Sequence, residues 1–402
     1  VTPPYDVISP EDRGRRAAGH AHNFVHLILP EPAGELDRYE RAAQLFRSWC
    51  REGVLVRDPR PALTVHRQTY ALESAGRLTR TGVIGVLSVT GDGELQIRPH
   101  ERTLPGPRRD RQKLMHSVGA HLSPIFVLAP DKNGDLQGLL DEAPGPWIAF
   151  TDEDGVDHET AIQIEPGWNA RLAALLQDRE LIIADGHHRF ESALANYRQE
   201  AATSGPGAPK TRESGRILVE VVSLASPGLT VLPTHRLVRG LEEFEPAAFL
   251  DRLQRRARVQ PLPDRGPASV AGLLTHLERA GVGTFGLILS GDGPAYLAQV
   301  APPGGTDSPL EALDVVLLQR AILEETLGVD ARRMEAGEVV TFVRDAHEAA
   351  RQVSRREAQI AFLLRPTPLD ALRRVTGEGL RMPQKSTFFY PKVPSGLVIH
   401  SF

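Results

Sequence analysis

The sequence predicts an α/β protein, in the broad α+β sense, and three observations lead there. An apolar run, Leu181-Ile182-Ile183, breaks at Gly186 and opens into a helical pattern with Phe190, Ala193, Leu194 and Tyr197 on one face. Leu63–Leu72 and Val83–Val89 read as strands paired antiparallel across a polar turn near Ser74–Arg77. From about Val238, helices at Pro246–Arg256, Ser269–Ala280 and Leu310–Leu327 alternate with strands at Thr284–Leu289, Ala295–Val300 and Ile360–Leu364, which marks a separate α/β unit.

The remaining elements follow in order. Thr2–Pro10 is a proline-punctuated loop leading into a helix capped by Ser9. Asn23–Leu29 reads as a short strand and Leu36–Glu52 as an amphipathic helix. A polar loop, Arg98–Pro107, precedes a helix with Leu114, Met115 and Val118 on its apolar face, then the strand Ile125–Leu128. Asp131–Asp157, rich in Gly, Asp and Pro, reads as an insertion or hairpin excursion, and Arg171–Leu176 as helical. Thr203–Glu213 reads as a flexible surface loop and Ile217–Leu224 as a strand buried on both faces. The aromatic run Phe388-Phe389-Tyr390 reads as a last strand docking into a core.

Bulk properties exclude several classes. The 402 residues suffice for two or three domains, and 41% hydrophobic with 24% charged residues is ordinary for a soluble globular protein. The single cysteine, Cys50, rules out an internal disulfide and a zinc–thiolate cluster. No signal peptide or long apolar run is present, so a cytoplasmic location without membrane contact is expected. A net charge of −4 argues against a dedicated nucleic-acid binder. Only five lysines occur, and Lys385 and Lys392 fall together near the end.

The most informative stretch is Ala184-Asp185-Gly186-His187-His188-Arg189. A strand that breaks at a glycine and opens into a helix directs backbone N–H groups outward, a geometry that favours phosphate. His187, His188 and Arg189 stand on it. Gly186 also fits a plain tight turn, with Arg189 solvated. Near the other end, Lys385, Ser386 and Thr387 are candidate phosphate donors.

These segments resemble the DUF1015 family of prokaryotic proteins. The matching pieces are Pro3–Ser9, Asn23–Leu27, His100-Glu101-Arg102-Thr103-Leu104, Ala184–Arg189 and Met382–Thr387, in order along the whole chain. Members usually carry residues ahead of the Pro-Pro-Tyr-Asp element, so a first strand is expected to be missing here. More distantly, the order of polar loop, helix, strand and Asp-Gly-His-His-Arg turn resembles the ParB/sulfiredoxin fold, and in particular its free serine kinases. The implied organisation is an N-terminal α/β segment over residues 1–95 and a ParB/sulfiredoxin-like nucleotide-binding core over 96–237, with the insertion near 131–157. A C-terminal α/β domain covers 238–402, with a tail that returns to the site.

The resemblance implies a nucleotide-dependent phosphotransferase acting on a small hydroxyl substrate such as L-serine, with ADP, ATP or CTP as donor. Glu101 matches the family's base and would take the hydroxyl proton, worth roughly 10²–10⁴-fold in rate. Asp185 would help hold Mg²⁺ through an oxygen. His187 joins these two as a catalytic candidate, and Gly186, His188 and Arg189 would bind phosphate with Lys385, Ser386 and Thr387. His100, Thr103, His235 and Arg236 are weaker substrate-binding candidates. Two other classes stay open: a ParB-like nucleotide switch with a DNA or protein partner, and a metal-dependent hydrolase using Asp185, His187 and His188. The sulfiredoxin reaction is excluded, because His187 stands where that chemistry needs a cysteine.

Overall fold

A computed structural model describes all residues except 74, 89–96, 104, 144–147, 178, 204–214, 264–266, 303, 305–307 and 336. The mixed α/β architecture expected from the sequence is present. The chain divides into two units: residues 1–99, 103–230 and 389–402 form the first, and residues 100–102 and 231–388 the second.

In the first unit, helices α1 (Pro10–Gly19), α2 (Val25–Ile28) and α3 (Arg38–Arg51) precede strands β1 (Leu63–Leu72), β2 (Gly76–Ser88) and β3 (Ile97–Arg98). Then come α4 (Pro105–Val118), β4 (Ala120–His121), β5 (Ile125–Ala129), α5 (Asp135–Asp141), β6 (Ile148–Thr151) and β7 (Asp157–Gln163). Helix α6 (Pro166–Leu176), β8 (Leu181–Asp185), α7 (His187–Thr203) and β9 (Arg216–Ser223) complete the set before the chain leaves this unit. Eight strands form one sheet in the order β3-β8-β5-β9-β2-β1-β7-β6. The β3–β8 and β5–β9 pairs are parallel and the others antiparallel.

Local chemistry accounts for several element ends. Ser9 Oγ accepts the Asp12 N–H and Pro10 opens α1, as expected. Asp37 and Glu40 form a reciprocal capping box on α3. Three expectations are corrected. Asn23–Leu29 is not a strand: Val25–Ile28 is one helical turn whose Val25, Leu27 and Ile28 are all buried. Asp131–Asp157 does enter a hairpin, β6 with the strand β7 that starts at Asp157, but it is not an excursion from the core, since its α5 buries Leu136, Leu139 and Leu140 there. Leu310–Leu327 is not one regular helix, because Asp314–Leu317 passes into a π-helical stretch at Leu318–Glu324. From residue 204, the loop expected at Thr203–Glu213 lies outside the described residues.

The domain limits also fall elsewhere. Strands β1 and β2, which the sequence reading places in a segment ahead of residue 96, stand inside the same sheet as β5, β8 and β9.

The sheet's two faces differ. Because side chains alternate along a strand, Val65, Val83, Ile125, Val127, Ile183, Val219 and Val221 point to one face. There they pack with Leu136, Leu139 and Leu140 of α5, Trp168 and Leu172 of α6, and Phe190 and Ala193 of α7. The opposite face carries buried polar side chains instead, among them His66, Gln68, Arg80 and Glu220. Residues Phe389–Lys392 of the tail bind this face. Arg80, 1% exposed, donates to Gln68 Oε1, to Pro391 O at 2.6 Å and to Tyr390 O at 3.3 Å. Gln68 in turn donates to Lys392 O at 2.9 Å. Phe389, fully buried, meets Phe126 edge to face with centroids 5.7 Å apart, so the aromatic run does dock into a core.

The second unit holds a six-stranded antiparallel sheet in the order Ala257–Pro261, Tyr296–Val300, Thr284–Leu289, Ile360–Leu363, His235–Val238, Val340–Val343. Helices Pro267–Arg279 and Ala346–Ser354 cover it, with Leu273, Leu277, Ala349 and Val353 in the core.

Candidate functional site

Strand β8 ends at Asp185, and Gly186 turns the chain with φ +91°, a conformation that disfavours any side chain. A Cβ at Gly186 would also lie 2.9 Å from the Arg189 guanidinium, which packs over the glycine. The first helical bond of α7 runs from Phe190 N–H to Gly186 O at 2.9 Å. The amides of residues 187–189 therefore stand at the positive end of α7, outside its i→i−4 ladder. His187 is buried and His188 half-buried.

Two cations meet at Asp185. Lys392 Nζ donates to Oδ1 at 2.6 Å and Arg189 Nη2 to Oδ2 at 2.9 Å, and the three side chains are only 12–15% exposed. Arg189 also donates to Pro124 O, while its Nε is buried without a hydrogen-bond partner. The sequence reading expects the tail to return to this turn through Lys385. Within this unit it is Lys392 that does so. The signal was there in the rarity of lysine, and the prolines at 391 and 394 fix its backbone.

The Pro-Pro-Tyr-Asp element lies in the same unit. The Arg111 guanidinium stacks on the Tyr5 ring at 4.2 Å. Burial pushes the Tyr5 phenol up to about 12, helped by the Asp6 carboxylate and opposed by Arg111 and Arg189. A small cavity of about 50 Å³ is lined by Tyr5, Arg111, His121, Arg189 and Ser192, and a larger one of about 270 Å³ by Tyr5, Arg13, Arg38, Tyr39 and Asp110 among others. The prolines mark the Tyr5 loop as constrained, and Arg111, which the sequence offers as a solvated residue of α4, is instead buried beneath the Tyr5 ring. Thr103, a weaker candidate, spends its hydroxyl on the Glu191 carboxylate of α7.

In the second unit, His100–Arg102 and the Met382–Thr387 motif meet. Met382 N–H donates to His100 O at 2.7 Å, and Arg102 N–H to Met382 O at 3.3 Å. Lys385 adopts φ +56°, and the turn aims successive amides at one carboxylate. Glu101 Oε1 accepts from Ser386 N at 3.1 Å, Thr387 N at 3.2 Å and Thr387 Oγ1 at 3.2 Å, and Oε2 from Lys385 N at 3.3 Å. His100 Nε2 is 2.8 Å from Thr387 Oγ1. The amides of Lys385, Ser386 and Thr387 thus form a turn whose donors converge on the Glu101 carboxyl group.

Arg236 donates to Lys385 O at 3.0 Å. Burial pulls its guanidinium down to about 10, with the Glu101 charge acting against that. His235 is buried and accepts the Leu364 N–H on Nδ1 at 3.1 Å, which gives it a structural post in the sheet.

The donor set at Asp185 suits a particular kind of metal. Among the described residues no group of three or more His, Cys, Asp or Glu side chains gathers as a metal site. A single carboxylate fits Mg²⁺ that arrives with phosphate and keeps most of its waters, and does not fit a resident ion held by protein alone. Among the described residues, too, no helix is long and apolar enough to cross a membrane.

The family described as "Protein of unknown function (DUF1015)" matches residues 1–316. Among solved structures, the chain is similar to a free serine kinase in complex with AMP, at 14% identity and TM-score 0.41, over 78% of this chain and 89% of that one. A conserved hypothetical protein from Pyrococcus furiosus aligns at 14% identity and TM-score 0.38, over 78% of this chain and 93% of that one. A C-terminally truncated SbnI from Staphylococcus aureus aligns at 12% identity and TM-score 0.38, over 78% and 85% respectively. No curated protein matches the chain.

Proposed function

The chain belongs to the DUF1015 family, and we propose that it is a nucleotide-dependent phosphotransferase whose phosphate-binding element is the turn Asp185–Arg189. The observation that carries this reading is the turn itself. A glycine at φ +91° starts a 17-residue helix, and Arg189 and Lys392 converge on the single carboxylate beside it. Phosphoryl transfer asks a protein mainly for charge neutralisation and alignment, and these groups supply both.

In this reading the nucleotide's terminal phosphates sit at the amides of His187, His188 and Arg189, with His187 beside the transferred group. The acceptor hydroxyl oxygen forms the new bond to phosphorus as the bridging oxygen leaves with the shorter nucleotide. The hydroxyl proton goes to Glu101. Asp185 would hold Mg²⁺, which when bound supplies charge neutralisation on the phosphate oxygens. The motif order also assigns L-serine as acceptor and ADP, ATP or CTP as donor. The amides of Lys385, Ser386 and Thr387 all donate to the Glu101 carboxyl group. To act as base, Glu101 must therefore loosen from that turn, and the vacated amides would then be open to phosphate.

The test is an assay with Mg²⁺, L-serine and each of ADP, ATP and CTP, reading phosphoserine by mass spectrometry. Product that disappears in Glu101→Gln, with nucleotide affinity and melting temperature retained, supports the reading and the assigned base. Binding of a nucleotide without phosphoserine moves the acceptor to another hydroxyl compound. Absence of binding by any of the three overturns the reading.

A further inference from the structure

Arg80 is an expensive residue, a guanidinium 1% exposed within a sheet, and burial depresses its affinity for protons. Its ring contact is Phe126, 4.6 Å from guanidinium carbon to centroid, and its donors go to Gln68 and to the carbonyls of Tyr390 and Pro391. Gln68 then holds the carbonyl of Lys392 at 2.9 Å. Three consecutive tail carbonyls are thus fixed from below. The side chain that this fixing aims is Lys392, and its Nζ reaches Asp185 at 2.6 Å.

One cation is enough to balance Asp185, and Arg189, four residues on in the same turn, already does so at 2.9 Å. A second cation, brought from 207 residues away in sequence and held by buried polar machinery, adds positive charge where the α7 amides already favour an anion. We infer that Lys392 is a phosphate-binding residue of the Asp185–Arg189 site, held in readiness by Asp185 and released to the ligand's phosphate when Mg²⁺ takes the carboxylate. The inference rests on the phosphotransferase reading and adds to it a residue outside its motifs. Asp185 then has two successive partners, lysine before the ligand and metal with it. Binding of the magnesium-bound nucleotide becomes an exchange of cations on one carboxylate.

The exchange is tested by titration calorimetry with ADP, with and without Mg²⁺, on the full chain. Lys392→Gln is expected to weaken binding of the magnesium complex by at least tenfold and to lower the salt dependence of binding, while Lys392→Arg retains most of the affinity. Asp185→Asn separates this role from a structural one. It removes the carboxylate charge that pairs with Lys392, so metal-free ADP should bind five- to tenfold tighter than to wild type. That gain should vanish in Asp185→Asn/Lys392→Gln. Equal ADP affinities of wild type and Lys392→Gln, or a metal-free gain that survives in the double variant, overturn the inference and leave the phosphotransferase reading standing. No binding of ADP, ATP or CTP by wild type overturns both.

Discussion

His66 and Glu220 are joined by a 3.0 Å hydrogen bond from Nδ1 to Oε2, with both side chains at most 1% exposed. The bond is the first of three in a row. His66 Nε2 lies 3.0 Å from His158 Nδ1, and His158 Nε2 lies 3.1 Å from Asp152 Oδ2. The two imidazoles thus link a fully buried carboxyl group to one nearer the surface through hydrogen bonds at all four ring nitrogens. His66→Ala strips the buried Glu220 carboxylate of that partner and should cost about 3–5 kcal/mol in denaturant unfolding. Adding Glu220→Gln should recover part of the loss. A single variant within about 1 kcal/mol of wild type would show that the chain of bonds contributes little to stability.

Acid should weaken the fold through two other histidines. Burial brings His121 down to about 4, against the help of its bond to Arg216 O, and brings His235 to about 4 together with the Arg236 charge. Unfolded, each takes up its proton near pH 6.5. Between those values the unfolded chain binds more protons, so the stability they contribute is complete above about pH 6.5. It falls as the pH drops and is gone by about pH 4, a loss of about 3 kcal/mol for each group. Denaturant midpoints at pH 7.5, 6, 5 and 4 measure it. His235→Gln should flatten part of the slope.

Arg80→Met keeps bulk on the buried face but leaves Tyr390 O, Pro391 O and Gln68 without their donor. Each buried hydrogen bond lost costs about 1–3 kcal/mol, so a total of several kcal/mol is expected. The tail should loosen first. Hydrogen exchange that rises at residues 389–395 before the sheet core responds would be the signature, and uniform exchange would count against it.

Gly228 has no room for a side chain, since a Cβ there would lie 2.3 Å from the Thr79 backbone. The Tyr70 hydroxyl also donates to Gly228 O at 3.0 Å, which holds the loop down on the sheet. Gly228→Ala should therefore force backbone apart and cost about 1–3 kcal/mol, where Gly281→Ala, with open space around it, serves as a nearly neutral control. Thermal melts of the two compare them directly.

Much of the fold was legible because helices and apolar strands announce themselves by period. Strand β8 and helix α7, with the turn between them, stand where the sequence places them. Two of the failures share one cause. Strand β7 begins Asp-His-Glu-Thr, and its buried His158 and Thr160 face a polar interior, so a hydropathy pattern reports a loop. Arg80 is hidden for the same reason, since an arginine in a strand is ordinarily read as pointing to water. The one-turn helix at Val25–Ile28 is too short for any period, and three buried apolar residues in four look like a strand. At the candidate site the turn and the Glu101 loop were visible as motifs. Lys392 was marked only by the rarity of lysine, and its pairing was hidden because its partner is 207 residues away and the intervening sequence holds a whole second sheet.

The order of synthesis gives the tail a further meaning. Arg80 leaves the ribosome 310 residues ahead of Tyr390, whose carbonyl it binds. At about 5–20 residues per second that gap lasts about 15–60 s. Throughout it the polar face of the eight-stranded sheet lacks its covering segment, while residues 231–388 have a sheet of their own to complete. The unit begun before the second can thus be finished only after it, and the lysine at its candidate site comes into place only once the segment beyond residue 388 emerges.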